Sequence, residues 1–280
     1  MKHFLTFLTI GLLATATPAS AQWQGVDNVN EPRVIEALDT VVMEDMTFME
    51  IRDAIRAGKT TAIVGTGGLE ARGPYVTISN HNNSIRVEVP MIARRLGNAL
   101  VAPMIGFGPA GAGTEVYPGT FGFRVETFKM AMTDICTALK RYGFKNIILI
   151  GDNGGNQTPM KEVAAELNKA WAGSETVVHH VPEYYATHRT IDKALPSWGI
   201  KEVPEKGVHD SFRVEALMML ANPDNVRLKQ RMAAGKTTIV GVDLLPVEKT
   251  LEIARKMLEM KVAPTVEAIR KVVAQGRGSQ

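Results

Sequence analysis

Short apolar runs alternate with segments of helical periodicity along this chain, and this alternation constrains its fold more than any other feature. The runs predicted as strands lie at residues 60–64, 99–105, 146–150, 175–181 and 237–242. The segments between them place apolar residues at intervals typical of helices that pack on a sheet. This order predicts an α/β fold in which a mainly parallel sheet is covered by helices on both faces.

Local signals predict where the helices lie. Thr47 and Glu50 have the spacing of a capping box, which predicts a helix from there to about Ala57. Further helices are predicted at residues 87–96, 125–142, 157–171, 215–221, 247–260 and 266–273. Residues 182–206 are predicted to form a long connection without regular structure.

The first residues have the pattern of a secretory signal. Lys2 precedes a short apolar run, and Ala19 and Ala21 form an A-x-A cleavage site. This pattern predicts a signal peptide at residues 1–21 and a mature chain, residues 22–280, that folds as a single domain in the periplasm or outside the cell. The alternative is a buried N-terminal helix. After cleavage, no segment is apolar enough over its length to predict a membrane span.

The composition excludes some classes of partner. The formal net charge is only +3, and no cluster of Lys and Arg predicts a nucleic-acid face. Cys136 is the single cysteine, so the chain cannot form an internal disulfide. Because Cys136 lies in an apolar helical pattern, we interpret it as a buried structural residue.

Ligands of open parallel sheets bind beyond the carboxyl ends of the strands. That rule selects the loops at residues 70–83, 106–120 and 151–156, where polar residues and glycines gather. In the first loop, Glu70 can bind a metal or act as a base, and His81 can join it. The alternatives are an ion pair between Glu70 and its neighbour Arg72, and a histidine that bonds only the backbone.

The other two loops offer groups that can bind a substrate. Gly119 and Thr120 can present backbone N–H groups and a hydroxyl, although a tight turn explains them equally well. Gly154 and Gly155 let the backbone approach a ligand at the start of a helix, where N–H groups bind anions or an oxyanion.

Two residues late in the chain can close the site from the opposite side. His209 lies six residues before Glu215, just ahead of a predicted helix. The alternative is that this helix start is merely capped and that Glu215 is solvated.

Taken together, these loops resemble the creatininase family of metal-dependent amidohydrolases. Residues 70–81 correspond to the family's loop E-Q-H-G-P-H-L-P-L-x-T-D, and residues 117–120 (Tyr-Pro-Gly-Thr) to its F-P-G-T. Residues 151–156 correspond to its N-x-H-G-G-N, and residues 209–216 more loosely to its H-A-G-x-x-E-T-S. The resemblance implies a creatininase-like three-layer sandwich, a small-molecule substrate and a homo-oligomer. It also implies that Tyr117, with Gly119 and Thr120, contacts the substrate.

The resemblance implies a changed set of metal ligands. Glu70 and Glu215 match two acidic ligands of the family's two-metal site. Arg72 stands where the family has a histidine, His81 where it has a bridging aspartate, and Asn153 where it has the histidine of the third loop. Because arginine has no free lone pair, the family's usual two-metal site is not expected to form.

Three functions remain open on this basis. The first is a hydrolase in which Glu70, His81 and either Glu215 or His209 hold one zinc or manganese ion, whose bound water is activated to hydrolyse a C–N bond in a cyclic amide or a related small molecule. The second is a metal-free enzyme, a lactone hydrolase, isomerase or lyase, with Glu70 or His81 as base and Arg72 binding a carboxylate. The third is a non-catalytic periplasmic binding protein.

Overall fold

The structure is a computed structural model that describes residues 30–109, 116–205 and 209–276. Contacts divide the chain into two units, Met1–Glu36 and Ala37–Gln280. The described part of the first unit contains no helix or strand. The predicted signal peptide at residues 1–21 lies outside the described residues, and the single domain over residues 22–280 stays a prediction.

The second unit contains all the helices and strands described below. Its helices are α1 (Phe48–Arg56), α2 (Asn80–Leu96), α3 (Val125–Arg141), α4 (Gln157–Ala170), α5 (Glu183–Ala194), α6 (Phe212–Ala221), α7 (Leu228–Ala234) and α8 (Val247–Gly276). The predicted capping box is present at the start of α1, where the Glu50 N–H donates to Thr47 Oγ1 and the Thr47 N–H donates to the Glu50 carboxylate. No helix among the described residues is both long and apolar enough to cross a membrane.

The central sheet has four parallel strands, which confirms the predicted α/β class. They are β1 (Thr61–Thr66), β2 (Ala99–Val101), β3 (Asn146–Gly151) and β4 (Val177–His180), in the order β2-β1-β3-β4. The prediction of one strand at residues 237–242 is wrong. The chain turns there at Val240 and Gly241, both with positive φ, so two short strands, β5 (Thr238–Ile239) and β6 (Val242–Asp243), pair antiparallel away from the main sheet.

Helices cover both faces of the sheet, as predicted. Because strand residues alternate in direction, Val64 and Leu149 face a core built with α3 and α4. Their neighbours Ile63 and Ile148 face the opposite core, built with α2 and α8. A third apolar cluster joins α5, α6 and α8 to the β5–β6 hairpin.

Three predictions about helices are wrong in their bounds. Residues 183–194 form α5, although a long irregular connection was expected there. α8 runs without a break through Pro264, where two helices were expected. α2 begins seven residues earlier than predicted, at Asn80, and this places His81 in its first turn rather than in a loop.

Candidate active site

Polar side chains from four elements meet beyond the carboxyl ends of β1 and β3. Glu70 and Arg72 follow β1, and Asp152 follows β3 directly. His81 comes from the first turn of α2, and His188 comes from α5. All five line one cavity of about 250 Å³. This is the position that the loop rule predicted from the sequence.

Two asparagines hold the turn that carries Glu70. The Gly68 N–H donates to Asn82 Oδ1 at 2.9 Å, and Asn156 Nδ2 donates to the Gly67 carbonyl at 2.8 Å. A Cβ atom on Gly67 would lie 1.9 Å from Asn82 Oδ1, so only glycine fits there. The backbone that leads into the site is therefore fixed by buried hydrogen bonds.

His81 bridges two carboxylates. Its Nε2 lies 2.7 Å from Glu70 Oε2, and its Nδ1 lies 2.9 Å from Asp152 Oδ2. Burial opposes a charge on this ring, but the hydrogen bonds to Asp152 and Glu70 outweigh burial and raise the pKa of His81. With both nitrogens donating to carboxylates, His81 has no lone pair left for a metal or for a substrate proton.

Glu70 is surrounded by donors. Besides His81, its Oε2 lies 3.5 Å from both an Arg72 nitrogen and Asn153 Nδ2, and its Oε1 lies 3.3 Å from His209 Nε2. Burial opposes ionisation, but His81, Arg72 and His209 together hold the pKa of Glu70 below its ordinary value. Glu70 is therefore a carboxylate at neutral pH.

His209 lies at the rim of the cavity with 52% of its side chain exposed. Partial burial and the nearby Arg72 lower its pKa, although Glu70 acts in the opposite direction. Its ring is therefore neutral at pH 7. Because Nε2 faces the Glu70 carboxylate, we assign the ring proton to Nε2, which leaves the lone pair on Nδ1.

Arg72 forms a long ion pair with Glu70, the pairing that the sequence offered as the alternative to a metal ligand or base. Its guanidinium reaches Glu70 and His81 only at 3.5 Å, and its Nε is buried with no hydrogen-bond partner among the described residues. The side chain is 14% exposed and lines the cavity. A partly buried guanidinium with a free Nε–H favours an anion or a developing negative charge.

A second cluster, which the sequence analysis missed, lies beneath the cavity. Lys261 Nζ is 2.8 Å from Asp152 Oδ1 and 2.8 Å from Glu88 Oε2. It also lies 3.0 Å from His188 Nε2, and its ammonium faces the ring of Tyr184. A lysine in the apolar pattern of α8 is the signal that sequence reasoning passed over, since an unpaired lysine is rarely buried.

Glu215 does not join the site. Both of its oxygens lie 2.8 Å from the same Arg231 nitrogen, and both side chains are buried. The predicted role of Glu215 as a metal ligand is therefore corrected: its carboxylate is occupied by an arginine from α7.

Four of the predicted substrate-contacting residues do not line the cavity. Thr120 Oγ1 accepts the Ala71 N–H at 3.1 Å and so braces the loop. The Gly155 N–H donates to Asn153 Oδ1 at 2.8 Å. Gly119 packs on Ile78 instead. The four predicted residues that do not line the cavity are Tyr117, Gly119, Thr120 and Gly155. Gly154 and Asn153 do line it.

The residues present do not fit a divalent metal. Arg72 cannot ligate one, and His81 has both nitrogens engaged. The ammonium of Lys261 already lies among Glu88, Asp152 and His188. Within the described parts of the chain, no group of three or more His, Cys, Asp or Glu residues is placed to hold a metal ion.

Residues 44–256 match the family model described as "Creatininase: Creatinine amidohydrolase". No curated protein matches the sequence. The solved structure of a creatinine amidohydrolase (creatininase) is 20% identical, covers 85% of this chain and 98% of its own, and has a TM-score of 0.61.

Two other similar structures carry metals in their descriptions. A mutant creatininase of Zn-Zn type is 21% identical, covers 84% of this chain and 98% of its own, and has a TM-score of 0.61. A structure described as creatininase Mn is 19% identical, covers 85% and 99%, and has a TM-score of 0.60. At these identities the solved structures show a shared fold.

Proposed function

The chain belongs to the creatininase family, and on that premise we propose that it is an amidohydrolase-type enzyme that opens a C–N bond in a small cyclic amide without a bound metal. One observation carries the proposal. A neutral histidine, His209, lies against the ionised Glu70 in the same cavity as Arg72, a cation whose pairing with Glu70 is long, at 3.5 Å, and whose Nε has no hydrogen-bond partner among the described residues. Hydrolysis of an acyl bond needs a base that activates water and a cation that stabilises the oxyanion, and these residues can supply both.

The reaction begins with a water molecule at the lone pair of His209. Nδ1 takes a proton from this water, and the water oxygen forms a bond to the carbonyl carbon of the substrate. The carbonyl oxygen becomes an oxyanion as its π bond breaks. Arg72 faces this cavity as a cation and stabilises that charge, and Asn153 Nδ2 is a further donor nearby.

The second step breaks the ring. The oxyanion re-forms the carbonyl, the C–N bond breaks, and protonated His209 returns its proton to the leaving nitrogen. One water is consumed, and the product carries an amine and a carboxylic acid. Glu70 stays ionised throughout and stabilises the imidazolium that forms between the two steps.

His81 and Asp152 act as positioning residues in this scheme. His81 donates to Glu70 Oε2 and leaves Oε1 to face His209. Asp152 holds the other nitrogen of His81. This chain of hydrogen bonds keeps the base in one tautomer and one orientation.

A lactone is a second candidate substrate, because the same steps apply when the leaving atom is oxygen. The small cavity, about 250 Å³, favours a compact molecule of either kind. We also propose that residues 1–21 direct export to the periplasm or the medium, and that the protein is a homo-oligomer.

The test is hydrolysis of a panel of small cyclic amides and lactones by the mature chain, residues 22–280. Each reaction is run after chelator treatment and again with added zinc or manganese. We expect ring-opened product with equal rates in the two conditions. Hydrolysis only with added metal would contradict the metal-free scheme. If the protein bound compounds of the panel but hydrolysed none of them, a binding protein would be favoured instead.

A further inference from the structure

We propose that Lys261 is a built-in cation that takes the place of a divalent metal beneath the active site. The inference concerns metal binding and stands whether or not the hydrolysis proposed above is found. It starts from three distances: Lys261 Nζ lies 2.8 Å from Glu88 Oε2, 2.8 Å from Asp152 Oδ1 and 3.0 Å from His188 Nε2.

The groups around this ammonium are metal ligands by type. Two carboxylate oxygens and one imidazole nitrogen are ligand types that zinc commonly accepts in proteins, although in the described part of the chain they are not placed to hold a metal ion and surround the ammonium instead. An ammonium has three N–H donors and no acceptor. The ammonium of Lys261 lies within hydrogen-bond distance of all three groups, and two of them, Asp152 Oδ1 and His188 Nε2, also lie 3.0 Å from each other.

Burial shows that this arrangement is not a surface ion pair. Lys261 is fully buried, and Glu88 and Asp152 are only 2% and 4% exposed. A buried charge is retained only when it is paired and hydrogen-bonded. Tyr184 completes the surroundings, because its ring faces the ammonium at 4.6 Å and its hydroxyl donates to Glu88.

The charge states agree with this assignment. Burial opposes the charge on Lys261, but Asp152 and Glu88 outweigh burial and raise its pKa. Burial together with the ammonium lowers the pKa of His188 to about 3, so its ring is neutral and has a lone pair. Burial also opposes the charge on Asp152, yet the ammonium of Lys261 holds its pKa well below its ordinary value.

The ammonium is linked to the catalytic groups through Asp152. Its Oδ1 contacts Lys261, and its Oδ2 accepts from His81, which in turn donates to Glu70. Lys261 thus fixes, through two hydrogen-bonded neighbours, the carboxylate that orients His209. We assign Lys261 as a positioning residue, since it does not itself line the cavity.

The test is a gain of metal binding in two variants. Lys261→Met keeps an unbranched side chain that is one atom shorter and removes the charge, and Lys261→Ala also removes most of the side chain. Each variant leaves Glu88, Asp152 and His188 without their cation. Calorimetry with zinc chloride should find about one zinc ion per chain in Lys261→Ala and none in the unmodified protein. Zinc should also raise the melting temperature of both variants and not that of the unmodified protein.

The matched control is Lys256→Met on the same helix, whose ammonium pairs with Glu252 at the surface. It should gain no zinc site. If the Lys261 variants unfold when purified without metal, refolding with zinc should recover them. The proposal would be overturned if the folded Lys261 variants bound no more zinc than the unmodified protein, or if zinc failed to refold them. It would also be overturned if the unmodified protein bound zinc and Asp152→Asn abolished that binding.

Discussion

Lys261 Nζ lies 2.8 Å from Asp152 Oδ1, although the two residues are 109 positions apart in the sequence. The contact places a permanent positive charge from the last helix next to the carboxylate that follows β3. This chain therefore retains the creatininase fold while one of its own side chains supplies a positive charge beneath the cavity.

His209→Gln should lower kcat on a hydrolysed substrate by about 10²- to 10⁴-fold, because it removes the proposed base. The melting temperature should change little, since half of the side chain is exposed. The matched control is His180→Gln. His180 is hydrogen-bonded to Gln157 and does not line the cavity. Equal activity of the two variants would exclude His209 as the base.

The dependence of kcat/KM on pH should report His209 in the free enzyme. Its neutral form is the active one, so the rate should fall as pH falls through its pKa. Because burial and Arg72 lower that pKa below 6.5, more than half of the plateau rate should persist at pH 6.5. A limb centred above pH 6.5, or one unchanged in His209→Gln, would contradict the assignment.

Arg72→Met should lower kcat by about 10²- to 10³-fold, because Arg72 is proposed to stabilise charge that develops in the transition state. Arg72→Lys keeps a cation and should recover part of this loss. Steady-state kinetics of both variants separate this role from simple binding. A rise in KM at constant kcat would show that Arg72 binds the substrate in its ground state instead.

Arg231→Met should reduce the free energy of unfolding by about 3–5 kcal/mol, because it leaves Glu215 buried without its partner. The double variant Arg231→Met/Glu215→Leu removes both charges and should recover much of the loss. Denaturant unfolding of the three proteins measures the difference. A double variant as unstable as Arg231→Met would show that packing, rather than the uncompensated charge, dominates.

Periodicity and local signals predicted the parts of the fold that depend on nearby residues. The buried runs at β1 and β3 and the capping box at Thr47 are confirmed. The loop rule selected the loops that hold Glu70 and Asp152 at the same edge of the sheet, although only Glu70 was predicted as a site residue. It could not show that His81 bridges them, because that contact depends on α2 beginning at Asn80.

What the sequence could not show are pairings between distant charges. Lys261 falls on the buried face of α8, with Met257 before it and Thr265 after it at helical spacing. A lysine in that position predicts a buried partner of opposite charge, but the sequence does not identify which residue that partner is. The resemblance matched Glu215 to a metal ligand of the family, whereas its actual partner, Arg231, comes from α7, a helix that the sequence pattern did not predict.

The most direct test is the metal content of purified protein that comprises residues 22–280. The protein is incubated with zinc and manganese, freed of unbound ions and examined by elemental analysis. We expect far less than about one ion per chain, because Arg72, His81 and Lys261 already supply the positive charge beside Glu70 and Asp152. About one or two ions per chain, lost in a Glu70→Gln/His81→Ala double variant, would contradict this expectation.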